Sequence, residues 1–299
     1  QPKVQENTQI EEKKQEEKNG DEHNENDSTN KNCENMLSFV KSCDLKNGVD
    51  FLLINENDRT IKLKNNEWNS YNFGVFLLGE NTILTVHYDK KRYHDEFGHL
   101  KMNTSHLWIK HSFSKIHCSQ LGYPKDQGPG KGGRGKSFNG GGGYGTKGGE
   151  GDVLLGAGKA GEMYGEETLL KEIHFGSGGG GSDLLQVGGN GGGIIELIIR
   201  QQLINHGSIQ CNGGDGNILG GGGSGGSILI QLQCQSSFSS RSRLCPNNFE
   251  HTLGYITCVG GKQNEINKGG KGRIAIYGLE LSSDNIKNID PKPFNRIHK

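Results

Sequence analysis

Absences narrow this 299-residue chain before any motif does. Only six prolines are present and no G-X-Y period runs through the sequence, which excludes polyproline and collagen-like designs. No apolar run approaches the ~18 residues of a membrane-crossing helix. Formal net charge is +0 at pH 7, so no global field draws the chain to nucleic acid or an anionic surface. The seven cysteines are odd in number and lack C-x-x-C spacing, which speaks for free, partly buried thiols over disulfides or a zinc site. The chain begins with Gln, and no apolar secretory segment or other targeting signal is visible in it.

What is abundant is glycine: 50 residues, 38 of them within 122–226. Three stretches of different texture follow one another. Residues 1–34 carry ten acidic and five Lys/Arg residues with almost no large apolar side chains, the composition of a disordered arm. Residues 35–121 are a strand-rich part, with the short β-type runs MLSFV, VDFLLI, TIKLK, FGVFLLG, NTILTVHY and SHLWIKHSFSKIHC bounded by Asn, Asp, Gly or Lys. Residues 122–299 hold the glycine tracts, the strand candidates SDLLQV, IIELIIR, SILIQLQ, GYITCV and RIAIYG, and a short C-terminal tail.

An internal repeat organises the third stretch. GGGIIELIIR (191–200), SGGSILIQLQ (224–233) and GGKGRIAIYG (269–278) each join a glycine cluster to an alternating apolar strand. A second element, G-x-I-x-C-x-G-G, occurs at 207–214 and 254–261, with a degenerate copy at 114–122. Cys118, Cys211 and Cys258 occupy equivalent positions, which predicts a structural ladder of small buried side chains. Short strands with unequal insertions suit an all-β fold, a parallel β-helix (solenoid) with long glycine-rich loops. Glycine then serves tight corners with φ > 0 or places where backbones approach closely.

The ordered series LGYPKDQGPGKGG, GGGGYGTKGGEG, FGSGGGGS, GGNGGGIIELIIRQQLINHGSIQCNGGDG, GGGGSGGSILIQL and GGKGRIAIYG, over roughly residues 80–278, resembles a glycine-rich parallel β-helix repeat family. Members of that family are large, mostly uncharacterised or surface-associated proteins of bacteria, plants and protists. The resemblance implies a β-helix and an adhesive, cell-wall or structural context at the cell surface, and no agreed catalytic residues. The polar insertion at 233–254 departs from the family's commoner pattern.

Several motifs invite chemistry. Gly130, Gly135, Lys136 and Ser137 satisfy G-x-x-x-x-G-K-[ST], the phosphate-cradling P-loop. The motif needs a strand before it and a helix after it. Here LGYPKDQGP precedes it and FNGGGGYG follows, so the match is read as an accident of composition. Lys125, Lys131, Arg134 and Lys136 make a small basic patch, a weak contact site with only Phe138 and Tyr144 as stacking partners for RNA. His87, His94, His99, His106, His111 and His117 lack the HExxH spacing of zinc proteases. Asp215 follows a glycine pair, yet the calcium-binding nonapeptide does not recur. Paired carboxylates such as Glu166–Glu167 fall in a loop-like stretch, and Asn26 and Asn103 match N-x-[ST].

These residues predict no catalytic centre, no cofactor and no metal. The expected role is a non-enzymatic structural or adhesive scaffold presenting its glycine-rich segments to a protein or glycan. The alternatives are a polysaccharide-acting β-helix enzyme and a nucleic-acid binder working through 125–136.

Overall fold

The computed structural model describes residue 38 and residues 45–88, 96–150, 153–181, 187–217, 219–233, 251–262 and 266–297. The acidic arm, most of MLSFV, His94, most of SDLLQV and most of the polar insertion lie outside the described residues. Residues 46–299 form one unit, treated by itself below.

Among its described residues, fourteen short strands are gathered into two parallel sheets. The eight-stranded sheet contains β1 (Phe51–Ile54), β3 (Trp68–Tyr71), β4 (Gly74–Leu77), β6 (His99–Ile109), β8 (Ile194–Asn205), β10 (Ser227–Leu232), β12 (Arg273–Tyr277) and β14 (Phe294–Arg296). The six-stranded sheet contains β2 (Thr60–Leu63), β5 (Ile83–Val86), β7 (Lys115–His117), β9 (Ser208–Gln210), β11 (Tyr255–Thr257) and β13 (Ile289–Asp290). From β4 onward, consecutive strands alternate between the sheets. A five-residue helix, α1 (Ser283–Lys287), is capped by Ser282, whose side chain accepts from the Asn285 amide.

Register explains the core. Leu100, Ile195, Ile228 and Ile274 stand in one row of the larger sheet, and Met102, Leu197, Ile230 and Ile276 in another. The smaller sheet contributes Leu84, Ile116, Ile209, Ile256 and Ile289 in a single row. All these side chains belong to one buried cluster. Side chains alternate across a strand, so each short strand gives only two or three residues to this core. Stacking equivalent strands in register makes continuous apolar rows from those few residues.

The expectation of a parallel β-helix does not stand. The structure has two parallel sheets of eight and six strands, a layered arrangement of the α/β kind with few helices, and no closed solenoid. The physical reason lies in the glycine-rich segments. They run from the smaller sheet to the larger one between β7 and β8, β9 and β10, and β11 and β12, and they leave the sheets to pack on one another.

Nor are these segments loops. The Gly221 and Ser224 amides donate to the carbonyls of Gly180 and Ser177, each at 2.9 Å. Gly222 and Gly225 donate to Asn267 and Gly270 at 2.8 and 3.0 Å. Gly223 and Gly226 donate to Gly214 and Cys211 at 2.9 and 2.7 Å. Partners repeat every third residue, the period of a polyproline II-type helix, so one rod is bonded to three different neighbours. Residues 139–145 make a second such rod, with Gly140 and Gly143 donating to Gly133 and Gly130, Gly141 to Gly149, and Gly142 to Gly222.

Close approach, rather than reversed φ, is what demands glycine here. Within 122–226 the described glycines with positive φ are Gly128, Gly156 and Gly165. At Gly221, by contrast, a β-carbon would overlap the carbonyl oxygen of Gly140, and at Gly179 that of Gly221. The bundle is thus a second core, made of backbone.

Candidate functional site

The P-loop-like stretch sits inside this bundle. A phosphate cradle requires backbone N–H groups free to point at the ligand. Here the amides of residues 130–137, Arg134 apart, donate within the protein. Gly130 donates to Ser177 Oγ at 3.0 Å and Gly135 to Asn139 Oδ1 at 3.1 Å. Lys131, Gly132 and Gly133 donate to the carbonyls of Gly128, Gly178 and Lys159. Lys136 and Ser137 both donate to Gly156 O, at 2.7 and 3.3 Å. No helix follows. The arrangement has neither the open amides nor the helix terminus of a nucleotide site.

The basic residues of the same stretch gather at one end of the bundle. Lys131 and Arg134 stand three apart on a rod of three-residue period and are both exposed, while Gly132 between them is buried. The amide bond of Gly133 to Lys159 O, at 2.7 Å, brings Lys159 alongside. Lys136 is anchored to Gly156, the residue that ends a 3-10 turn over Val153–Leu155. Leu154 is 96% and Leu155 75% exposed. Arg134 pairs with Asp126 at 3.0 Å, and the other Asp126 oxygen accepts from Gly181 N, at 2.9 Å. Lys125 lies in the adjoining segment, half-buried.

A second concentration of polar groups lies where residues 163–175 cross the outer face of the larger sheet. Tyr144 is fully buried and its hydroxyl meets Ser227 Oγ at 2.7 Å; Ser227 in turn donates to His174 O at 2.6 Å. Tyr164 Oη donates to Phe175 O at 2.5 Å and lies 2.9 Å from Ser177 Oγ. Arg273 donates to Tyr164 O at 2.8 Å and lies 5.5 Å from the centre of the Tyr144 ring. Leu169 packs with Leu229, Ala275 and Tyr277, and Tyr277 Oη donates to Thr168 O at 2.7 Å. Burial pushes the Tyr144 phenol up to about 12, with the Ser227 bond opposing, and raises Tyr164 as well. Phenols held neutral and hydrogen-bonded fasten the strap to the sheet.

Phe97, Tyr123 and Phe175 continue this region, with ring centres 4.7 to 6.2 Å apart and planes inclined by 58° to 84°. The tilts are those of rings packed on one another rather than of a flat platform. His99 Nε2 meets Glu196 Oε1 at 2.5 Å beside them.

The remaining sequence candidates are dispersed. His106 contacts Phe73 O at 3.2 Å and His111 contacts Leu78 O at 3.0 Å. No group of three His, Cys, Asp or Glu among the described residues is arranged to hold a metal ion. Asp215 accepts from the Lys262 amide and so ties two glycine rods together. Glu166 accepts from the amides of Lys171 and Glu172, which hold its carboxyl below the usual range, the wrong direction for a general acid. Asn103 lies in β6.

Cys118, Cys211 and Cys258 directly follow β7, β9 and β11, are free and buried, and belong to the main core cluster. Their amides extend the sheet ladder to Gln210, Thr257 and Asp290. Burial pushes the thiols of Cys118 and Cys211 up, away from the reactive thiolate.

Sequence reasoning missed Lys159, Leu154, Leu155 and the Tyr144–Tyr164–Arg273 junction. A signal for the exposed basic row was available in K-G-G-R (131–134), a charge every third residue with glycines between, repeated as K-G-G-K at 268–271. Lys268 and Lys271 are likewise exposed around buried Gly269 and Gly270.

No family model, curated protein or solved structure matches this chain. Among the described residues no helix is long and apolar enough to cross a membrane.

Proposed function

We propose that the chain is a non-enzymatic scaffold whose glycine bundle is a stiff body presenting its surface side chains to a protein or glycan. The observation that carries this reading is the engagement of the bundle's amides by neighbouring rods, including those of the P-loop-like stretch. A backbone with most of its amides engaged in this way has little capacity to bind a small ligand through its own N–H groups. It is suited to fixing the spacing of whatever projects from it.

Two further features support the reading. The buried tyrosines have protein partners for their hydroxyls. The Glu166 carboxylate, the first of the paired acids, is held by backbone amides.

The test is retention without turnover. Incubated with cellulose, chitin, pectin and immobilised cell-surface proteins, the folded chain is expected to be retained on at least one matrix and to release no new reducing ends. Retention is expected to disappear in Gly221→Val, which breaks the bundle. Release of reducing ends from a polysaccharide, or failure to bind any matrix, would overturn the reading.

A further inference from the structure

The basic end of the bundle combines two properties that neither glycan nor RNA binding requires together. Leu154 and Leu155, 96% and 75% exposed, sit side by side at the tip of a 3-10 turn. The turn is fastened at its base, where Gly156 adopts φ +84°, Lys136 N donates to Gly156 O at 2.7 Å, and Gly158 N donates to Phe138 O at 2.7 Å. Two apolar side chains are therefore held outward by backbone bonds rather than left to fold down onto the surface.

Basic residues adjoin this turn. Lys136 is bonded through its backbone to the turn itself, Lys159 follows it by three residues, and Lys131 shares a rod with Arg134. Of the described carboxylates near it, Glu150 accepts from Ala160 N at 2.8 Å and pairs with Lys147, as does Glu162, while Asp152, two residues before Leu154 in sequence, lies outside the described residues. Asp126 is taken by Arg134. Among the described residues Lys131 and Lys136 form no ion pair with a carboxylate, and Lys159 has Glu150 as an electrostatic neighbour. In a chain of zero net charge this is a local concentration of positive charge.

From the exposed leucine pair and the exposed lysines of the adjoining rods we infer that this end of the bundle docks on an anionic lipid bilayer. Leu154 and Leu155 enter the boundary between headgroups and acyl chains, and Lys131, Lys136 and Lys159 meet the lipid phosphates and carboxylates. Charge complementarity selects an anionic partner, and the leucines select one with an apolar interior. RNA is poorly served, because recognition of single strands relies on accessible aromatic rings, and here Tyr144 is fully buried and Phe138 half-buried. The inference needs only the stiffness of the bundle from the scaffold reading. Its test is independent of polysaccharide or protein retention.

The experiment is co-sedimentation of the full chain with phosphatidylcholine vesicles, with and without phosphatidylserine. Retention is expected on the phosphatidylserine vesicles alone and to weaken as salt is raised. Leu154→Asp/Leu155→Asp and Lys131→Glu/Lys136→Glu/Lys159→Glu are each expected to lower the partition coefficient about tenfold or more. Both variants should keep the circular dichroism spectrum and thermal midpoint of the parent, since every substituted side chain is exposed. Leu155→Trp should shift its emission to the blue on adding the anionic vesicles.

Absence of retention on phosphatidylserine vesicles overturns the inference. So does retention that the leucine variant leaves unchanged, or tight binding of a single-stranded RNA probe that the leucine variant leaves intact. A dimer in the absence of vesicles that the leucine variant dissociates would assign the turn to a second copy of this chain and equally overturn it.

Discussion

The sheets and the glycine bundle are two cores built on opposite rules. In the sheets, rows such as Leu100–Ile195–Ile228–Ile274 exclude water with side chains, and the backbone is a frame for them. Each large side chain buried there contributes on the order of 1.5–3 kcal/mol. In the bundle the backbone itself is the packing material, and each Gly–Gly hydrogen bond contributes about 1 kcal/mol net. Glycine loses more chain entropy on ordering than any other residue, by roughly 0.5–1 kcal/mol relative to Ala. The bundle therefore stands only because its bonds are numerous and mutually dependent. A side-chain core tolerates small changes of shape, while a backbone core has no room for a single methyl group.

That contrast yields a ranked set of outcomes. Gly221→Ala is expected to have the largest effect, because its β-carbon would overlap the Gly140 carbonyl oxygen and no flexible side chain is there to yield. A loss above about 4 kcal/mol, or failure to fold, should be seen in urea denaturation. Ile228→Ala, in the centre of the sheet core, should cost about 2–5 kcal/mol and leave a folded protein. A milder response to Gly221→Ala than to Ile228→Ala would erase the distinction between the two cores.

At the seam between them, Tyr144→Phe removes the hydroxyl that meets Ser227 and should cost about 1 kcal/mol at neutral pH. The same residue sets a pH dependence. Its phenol is raised from 10.0 to about 12 by burial, so the stability it contributes is complete below pH 10 and is lost as pH rises toward 12. A plot of thermal midpoint against alkaline pH should therefore be shallower in Tyr144→Phe than in the parent.

The smallest effect belongs to the sheet side. Burial holds His106 and His117 below the usual 6.5, so their neutral forms are preferred in the folded state. The stability linked to them is present above pH 6.5 and is lost as pH falls through their depressed values. His106→Gln should flatten that acid limb in a thermal melt, and an unchanged limb would remove His106 from the account.

How much of this was legible in the sequence divides along the same seam. Runs such as FLLI, GVFL, ILTV, SILIQL and RIAIY carry their strand identity in alternating apolar side chains, and the structure has strands there. WNSY has Asn69 at a buried position, and the first half of β6 carries His99, Lys101 and Asn103 on its outer positions and Thr104 on its inner ones, so their pattern was too polar to read. β13 and β14 are too short to show any period.

The bundle was misread as loops for a more basic reason. The partners of a glycine rod are chosen by backbone bonds, and those leave no trace in residue type. What does leave a trace is where a rod meets solvent, because only there can side chains be added. The exposed Lys131 and Arg134, three apart around buried Gly132, are that trace. The repeated strand–glycine–cysteine unit was likewise visible, but not the way the glycines between units leave the sheets for one another. At the basic end, the lysines of 125–136 could be listed from sequence, whereas Lys159 and the leucine turn join them only through the Gly133–Lys159 and Lys136–Gly156 backbone bonds.

The glycine tracts are a hydrogen-bonded core in their own right. Amide hydrogen exchange resolved to single residues tests this directly, comparing Gly179, Gly189, Gly221, Gly222 and Gly223 with Ile228, Leu229 and Ile230 of β10. The bonds to Gly189, Gly221, Gly180, Asn267 and Gly214 predict protection of the glycine amides comparable to that of the strand. Glycine amides exchanging at the rate of an open chain while β10 stays protected would contradict it.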